Sequence, residues 1–172
     1  DGPDPARGLH TSDTVMRMPE LPPRMLVIGG GYVACELAHV FGAYGTAITQ
    51  VQRSATLLVR EEPSIAERYT EISGRRFDLR TSTRVTSAER VGEVWRVELE
   101  GDDGVTSLVE AEAVLLAVGR TPNGADLGVE AGGVALDEDG FVVVDEHQRT
   151  TAPGTWALGD VCSHHMLKHV AN

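Results

Sequence analysis

The spacing of apolar and polar positions predicts an α/β fold for the first part of the chain. "MLVIG" (25–29) and "TAITQVQ" (46–52) are short apolar runs typical of buried strands. Between them, residues 32–44 carry apolar positions at the spacing of one helix face, and Gly45 follows as the expected left-handed C-cap. "PSIAERYTEIS" (63–73) predicts a second helix with Pro63 in its first turn, and "RRFDLRT" a third strand. Strands alternating with helices indicate a parallel sheet.

The pattern then changes to short alternating segments. "RVTSAERV", "VWRVELEG" and "TSLVEAE" are separated by short turns and predict an antiparallel β-meander. "AVLLAVG" (113–119) is apolar throughout, as in a strand that returns to the parallel sheet. "GFVVVDE" and "TWALGD" predict two further strands, and a helix is expected to begin near Met166.

These elements divide the chain into three expected parts. Residues 1–24 contain five prolines and predict an irregular lead-in. Residues 25–120 predict a Rossmann-like nucleotide-binding domain, and residues 121–172 a segment of a second domain. The last predicted helix has barely begun at Asn172, so we expect the sequence to be part of a longer chain.

The loop after the first strand has the spacing of a dinucleotide-binding fingerprint. In Gly29-x-Gly31-x-x-Ala34, the first glycine permits a tight turn and the second lets backbone approach a pyrophosphate. Ala34 lets the helix pack close to the strand, while the helix N-terminus faces the anion. The candidate pyrophosphate site is therefore the run Gly29, Gly30, Gly31, Tyr32, Val33 and Ala34.

The end of the second strand indicates which dinucleotide is bound. NAD sites place Asp or Glu there, but this chain has Gln52, then Arg53, with Arg60 further on. Guanidinium groups suit a 2′-phosphate, so we predict NADPH. The alternative is that both arginines are ordinary solvated surface charges.

Net charge, hydropathy and the spacing of cysteine and histidine argue against nucleic-acid-binding, membrane-spanning and zinc-binding proteins. A formal net charge of −11 argues against nucleic-acid binding. No apolar run is long enough to span a membrane and the first residues do not resemble a signal peptide, so we expect a cytoplasmic protein. Cys162, His164, His165 and His169 have no standard zinc-site spacing, and we expect no metal site.

Three motifs together resemble a known family. "GGGYVACELA", "AVGRTPN" (117–123) and "QRTTAPGTWALGDV" (148–161) are similar to the NADPH loop, the returning-strand signature and the second FAD motif of flavoprotein disulfide reductases. "HTSDTVMRMPELP", "ERYTEIS" and "LKHVAN" look most like the members of that family that reduce mycothione. The resemblance runs from about His10 to the end of the chain. It implies that residues 25–120 are an NADPH-binding domain and that residues 1–24 and 121–172 are flanking segments of an FAD-binding domain.

The resemblance implies roles for two residues on the first helix. Tyr32 matches a ring that covers the flavin until NADPH enters. Glu36 matches a carboxylate that pairs with a flavin-side lysine near the hydride-transfer site. From the residues alone, Glu36 is either a helix-surface carboxylate or a partner for a cationic group near the cofactor.

The resemblance also implies contacts to the nucleotides from later segments. Gly119 and Arg120 belong to the signature near the nucleotide, and Asp160 matches an aspartate that hydrogen-bonds the FAD ribityl chain. The helix opening near Leu167 and Lys168 would aim its N-terminus at the flavin.

The implied reaction passes a hydride from NADPH to FAD and reducing equivalents on to a small-molecule disulfide, here mycothione, in a full-length homodimer. This sequence has no first FAD loop, no C-x₄-C pair and no catalytic base, so the chain alone is expected to be inactive. The alternatives are a lipoamide dehydrogenase-like or mercuric reductase-like enzyme, of which Gln52 disfavours the first, or a nucleotide-binding module without catalysis.

Overall fold

The computed structural model describes residues 3–165, and the chain divides between Gly119 and Arg120 into two compact units. The elements are β1 (Leu9–His10), α1 (Ser12–Val15), β2 (Arg24–Ile28), α2 (Tyr32–Ala43), β3 (Ala47–Val51), α3 (Pro63–Gly74), β4 (Asp78–Arg80), β5 (Thr83–Val91), β6 (Val94–Gly101), β7 (Thr106–Ala111) and β8 (Ala113–Leu116), with 3₁₀ helices at Pro5–Arg7, Val129–Gly132 and Gly159–Val161. No helix within residues 3–165 is long and apolar enough to cross a membrane.

The first unit confirms the predicted α/β fold. Five parallel strands lie in the order β1-β8-β2-β3-β4, and β5, β6 and β7 form the antiparallel meander. Strand β8 pairs with β1 on one side and β2 on the other, so Val114 lies opposite both Leu9 and Leu26. A strand in this central position contacts layers on both faces, which accounts for its unbroken apolar run.

The parallel sheet is the middle of three layers. On one face, Met25, Val27 and Leu115 pack with the small residues Ala34 and Ala38 of α2. On the other face, the side chains that point the opposite way along β2, β3 and β8 pack on the meander, and this second cluster consists of Leu26, Val51, Trp95, Val97, Leu99, Ala111 and Val114. The small residues bring the beginning of α2 close to the ends of the strands.

The prediction of an irregular lead-in is wrong for Leu9–Val15. Strand β1 adds to the edge of the sheet beside β8, and α1 follows it at once. Trp95 of the meander donates a hydrogen bond from Nε1 to the Arg7 carbonyl, 2.7 Å away. This short stretch between the prolines therefore gains its order from partners far along the chain.

The second unit does not contain the two strands expected at 140–146 and 155–160. Isolated bridges join Leu136 to Val142, Val144 to Thr150, and Arg149 to Trp156. The chain turns too often for longer ladders, because Asp137 and Asp145 accept backbone N–H groups from residues two and four positions later. The helix expected near Met166 lies outside the described residues.

Candidate functional site

The loop between β2 and α2 begins with a backbone conformation that requires glycine. Gly29 has φ = +132°, and a Cβ added there would lie 2.2 Å from the carbonyl oxygen of Ala117, just after β8. That contact is with backbone, so no side-chain adjustment relieves it. Glycine therefore permits both the turn and the close approach of two strand ends.

Hydrogen bonds set the orientation of the next two peptide groups. The Gly29 carbonyl accepts from Gln50 Nε2 at 3.0 Å, and the Gly30 carbonyl accepts from the Leu58 amide at 2.7 Å. In a planar trans peptide the N–H points opposite to the C=O, so the amides of residues 30 and 31 point away from these partners. Within residues 3–165 the amides of residues 30–33 find no acceptor.

Among the described residues, the space beside the Cα atom of Gly31 is open. A Cβ added to Gly31, the N-cap of α2, would meet no atom within 4 Å. No side chain caps the helix, and its first turn carries no acidic residue. Free N–H groups at the positive end of a twelve-residue helix suit an anion such as a pyrophosphate.

Two arginines lie in the segment that follows β3. Gln52 packs its side chain over the loop, where a Cβ on Gly30 would be 2.7 Å from Gln52 Cδ. Arg53 comes next and is exposed, as is Arg60. In the described part of the chain neither arginine forms an ion pair with a carboxylate.

A hydrogen bond from Tyr32 connects the first turn of α2 with the segment that follows β3. Its hydroxyl donates to the Glu61 carboxylate, beside Arg60, and its side chain is 45 % exposed. The hydrogen bond to Glu61 raises the pKa of the Tyr32 phenol, and desolvation adds to it, while Arg60 opposes the shift. Glu36, one turn on, is also exposed. Both residues given roles by the resemblance thus present side chains to solvent from one face of α2.

The remaining predicted residues belong to the end of the first unit and to the second unit. Gly119 ends the first unit with φ = +157°. In the second unit Arg120 forms an ion pair with Asp160, 3.0 Å from Nη2 to Oδ2. His164, which lacks zinc-site spacing in the sequence, lies 3.3 Å from an Asp137 oxygen and against the Phe141 ring. Leu167 and Lys168 lie outside the described residues.

The sequence reasoning missed two residues that shape the loop, Gln50 and Leu58. Gln50 is an amide at a position of β3 where the alternation with Ile48 predicts a buried apolar residue, and that mismatch is the available signal. Leu58 adopts φ = +52°, and nothing in the sequence marks this.

Comparison with known proteins identifies the family to which this chain belongs. The model of the family described as "Pyridine nucleotide-disulphide oxidoreductase" matches residues 6–172. This chain belongs to that family. It is 47 % identical over 163 residues to the mycothione reductase of Mycobacterium tuberculosis, covering 95 % of this chain and 34 % of that protein. It is 38 % identical over 162 residues to the glutathione reductase of Burkholderia cepacia, covering 94 % and 35 %.

Solved structures agree with the family assignment. The chain is similar to LpdA from Mycobacterium tuberculosis, with a TM-score of 0.83 and 29 % identity over 98 % of this chain and 36 % of that one. It is also similar to the HOCl-induced flavoprotein disulfide reductase RclA from Escherichia coli, with a TM-score of 0.82 and 28 % identity over 95 % and 37 %. The chain spans about a third of the length of these relatives.

Proposed function

We propose that this chain is the NADPH-binding portion of an FAD-dependent disulfide oxidoreductase. Two observations together carry the proposal: among the described residues the four amides of residues 30–33 find no acceptor, and Arg53 and Arg60 lie on the segment that follows β3. The amides and the helix N-terminus suit the pyrophosphate, and the guanidinium groups suit a 2′-phosphate. A carboxylate at position 52 would repel that phosphate, and Gln52 does not.

The chain's own residues would then bind and orient the donor. NADPH supplies a hydride when it is bound, and FAD accepts it. Tyr32 is exposed beside the loop and is free to move once its contact with Glu61 breaks. Glu36, one turn along α2, would pair with a cationic group of the flavin-binding part. Asp160 would hydrogen-bond the FAD ribityl chain, and Gly119 and Arg120 would lie near the nucleotide. The helix expected to open near residues 167 and 168 would aim its N-terminus at the flavin.

The disulfide substrate proposed is mycothione, in a cytoplasmic homodimer of the full-length protein. The support is the 47 % identity to a protein named mycothione reductase, against 38 % and 40 % for relatives named glutathione reductase and mercuric reductase. The test is NADPH oxidation by the full-length protein with mycothione, glutathione disulfide or lipoamide as acceptor. Faster turnover of either other disulfide than of mycothione would refute the substrate.

The cofactor is tested by titration calorimetry on this chain with NADPH and NADH. We expect tighter binding of NADPH, and Arg53→Ala should weaken NADPH about ten-fold, a typical loss for one charge-assisted phosphate contact, while leaving NADH unchanged. Arg60→Ala should act in the same direction.

Arg17→Ala is the matched control. Arg17 is another exposed arginine, and its neighbours Met16 and Met18 lie by the C-terminal end of α2, away from the loop. Equal affinity of the wild-type chain for the two cofactors, or equal losses in the Arg53 and Arg17 variants, would refute the selectivity argument.

A further inference from the structure

Gln50 is a buried polar side chain near the carboxyl end of β3, an interior strand of the parallel sheet. It is 1 % exposed, and its backbone pairs with Val27 of β2 and Leu79 of β4. Burying an amide without hydrogen bonds is costly, and an aliphatic residue of this size would fill the same space without that cost. The contacts that this amide makes therefore indicate what it does.

Those contacts lead to the glycine loop. Gln50 Nε2 donates to the Gly29 carbonyl at 3.0 Å and lies 3.8 Å from Cys35 Sγ in the first turn of α2. Cys35 Sγ lies 3.7 Å from the Gly30 carbonyl. One side chain of β3 thus reaches both the start of the loop and the helix that follows it.

The Gly29–Gly30 peptide needs such a constraint. Its first residue is a glycine at φ = +132°, and glycine alone leaves the peptide plane free to rotate. The Gly29 N–H is held by the Val51 carbonyl at 2.9 Å, but the carbonyl side is held by Gln50. Turning that carbonyl away would turn the Gly30 N–H inward and remove one of the free donors.

We infer that Gln50 is a positioning residue for dinucleotide binding, which holds the Gly29 carbonyl so that the Gly30 amide faces the pyrophosphate. The inference rests on the proposed function, because it concerns the same loop. The inference predicts different effects on the binding of two parts of the ligand. The pyrophosphate depends on the Gly29–Gly30 peptide, whereas a 2′-phosphate would meet Arg53 and Arg60 on another segment.

Gln50→Met removes the donor and nearly conserves volume. In calorimetry we expect NADPH to bind about ten-fold more weakly to this variant, equivalent to about 1.4 kcal/mol. Adenosine 2′-monophosphate, which lacks a pyrophosphate, should bind within two-fold of wild type.

Ile48→Met is the matched control, because residue 48 is buried two positions earlier on the same face of β3. It should leave both affinities unchanged. Unchanged NADPH affinity in Gln50→Met, or equal weakening of both ligands, would overturn the inference. If the wild-type chain bound neither ligand, the proposed function itself would fail, and this inference with it.

Gln50→Glu supplies a second test. If Gln50 only filled space, the affinity of this variant relative to wild type would not depend on pH in the way described next. A protonated carboxyl group can donate to the Gly29 carbonyl as the amide does, whereas an ionised one cannot donate and repels it. The nearby Cys35 thiol and Tyr69 phenol both have a pKa raised mainly by burial, so they stay neutral between pH 6 and 8. The ratio of variant to wild-type affinity for NADP⁺ should therefore be highest at low pH and fall as the introduced carboxyl ionises. A ratio below one-fifth that does not change between pH 6 and 8 would contradict the inference.

Discussion

Two glycines of one loop should respond to alanine in opposite ways. Gly29 and Gly31 are two residues apart, yet a Cβ on the first would lie 2.2 Å from the Ala117 carbonyl and a Cβ on the second would meet nothing within 4 Å. Gly29 also has φ = +132°, whereas Gly31 has φ = −82°, which any residue adopts. Gly29→Ala should therefore damage the fold, and Gly31→Ala should damage ligand binding.

The magnitudes follow from these contacts. For Gly29→Ala the strained φ costs on the order of 1–3 kcal/mol, and the backbone clash adds to it, so we expect a loss of at least about 3 kcal/mol and a fall in Tm of roughly 10 °C. For Gly31→Ala the only structural change is alanine in place of glycine at a helix N-cap, which costs about 0.5–1 kcal/mol. Its methyl group would occupy the space through which a pyrophosphate reaches the amides, so NADPH should bind more than ten-fold less tightly.

Chemical denaturation and calorimetry on both variants separate the two effects. Gly31→Ala is the informative one, because it should keep a near-native free energy of unfolding while losing affinity. If it bound NADPH as tightly as wild type, the pyrophosphate could not approach this backbone, and the reasoning from the free amides would be refuted. If Gly29→Ala were as stable as wild type, the contact between the loop and the end of β8 would not be tight.

Two further variants test other parts of the first unit. Glu112→Gln removes the ion pair with Arg24 (2.7 Å), whose hydrogen bond holds the pKa of Glu112 below its usual range. The stabilisation is present at pH 7 and should fade as the pH falls below about 4.5, so denaturant titration should show a loss of at most about 1 kcal/mol at pH 7 and a smaller loss near pH 3. Equal losses at both pH values would contradict this account. Burial raises the pKa of the Cys35 thiol, so in a Cys162→Ser variant a thiol reagent should label Cys35 only as fast as the protein unfolds, and prompt labelling in native buffer would refute its burial.

The parallel sheet and the loop could be predicted because their signals are local. The strand β2, the glycine spacing and the apolar face of α2 all lie within some twenty consecutive residues, and the periodicity of each is unambiguous. The return of β8 to the sheet was also predictable, since a strand buried on both faces has no polar positions.

The contact of Gln50 with Gly29 could not be predicted in the same way. The two residues are 21 positions apart, and the contact depends on the register of β2 against β3, which places Gln50 opposite Val27 near the carboxyl end of the strand. A pattern of apolar positions shows only that a glutamine interrupts a strand. The wrong prediction of a strand at 140–146 in the second unit has another cause. "GFVVVDE" has the composition of a strand, but the side chain of Asp137 closes a turn just before it.

The proposed anion site is compatible with the acidic composition of the chain. The formal net charge is −11, but four backbone amides carry no formal charge and Arg53 and Arg60 are not engaged by carboxylates within residues 3–165. Backbone donors act over the length of a hydrogen bond, whereas exposed carboxylates far from the loop are screened by salt beyond about 10 Å. The nearby Glu61 carboxylate accepts the hydrogen bond of the Tyr32 hydroxyl. We therefore expect the affinity for a phosphate to depend on how the two or three nearest peptide groups are held, and the buried Gln50 to matter more to it than the overall charge of the chain.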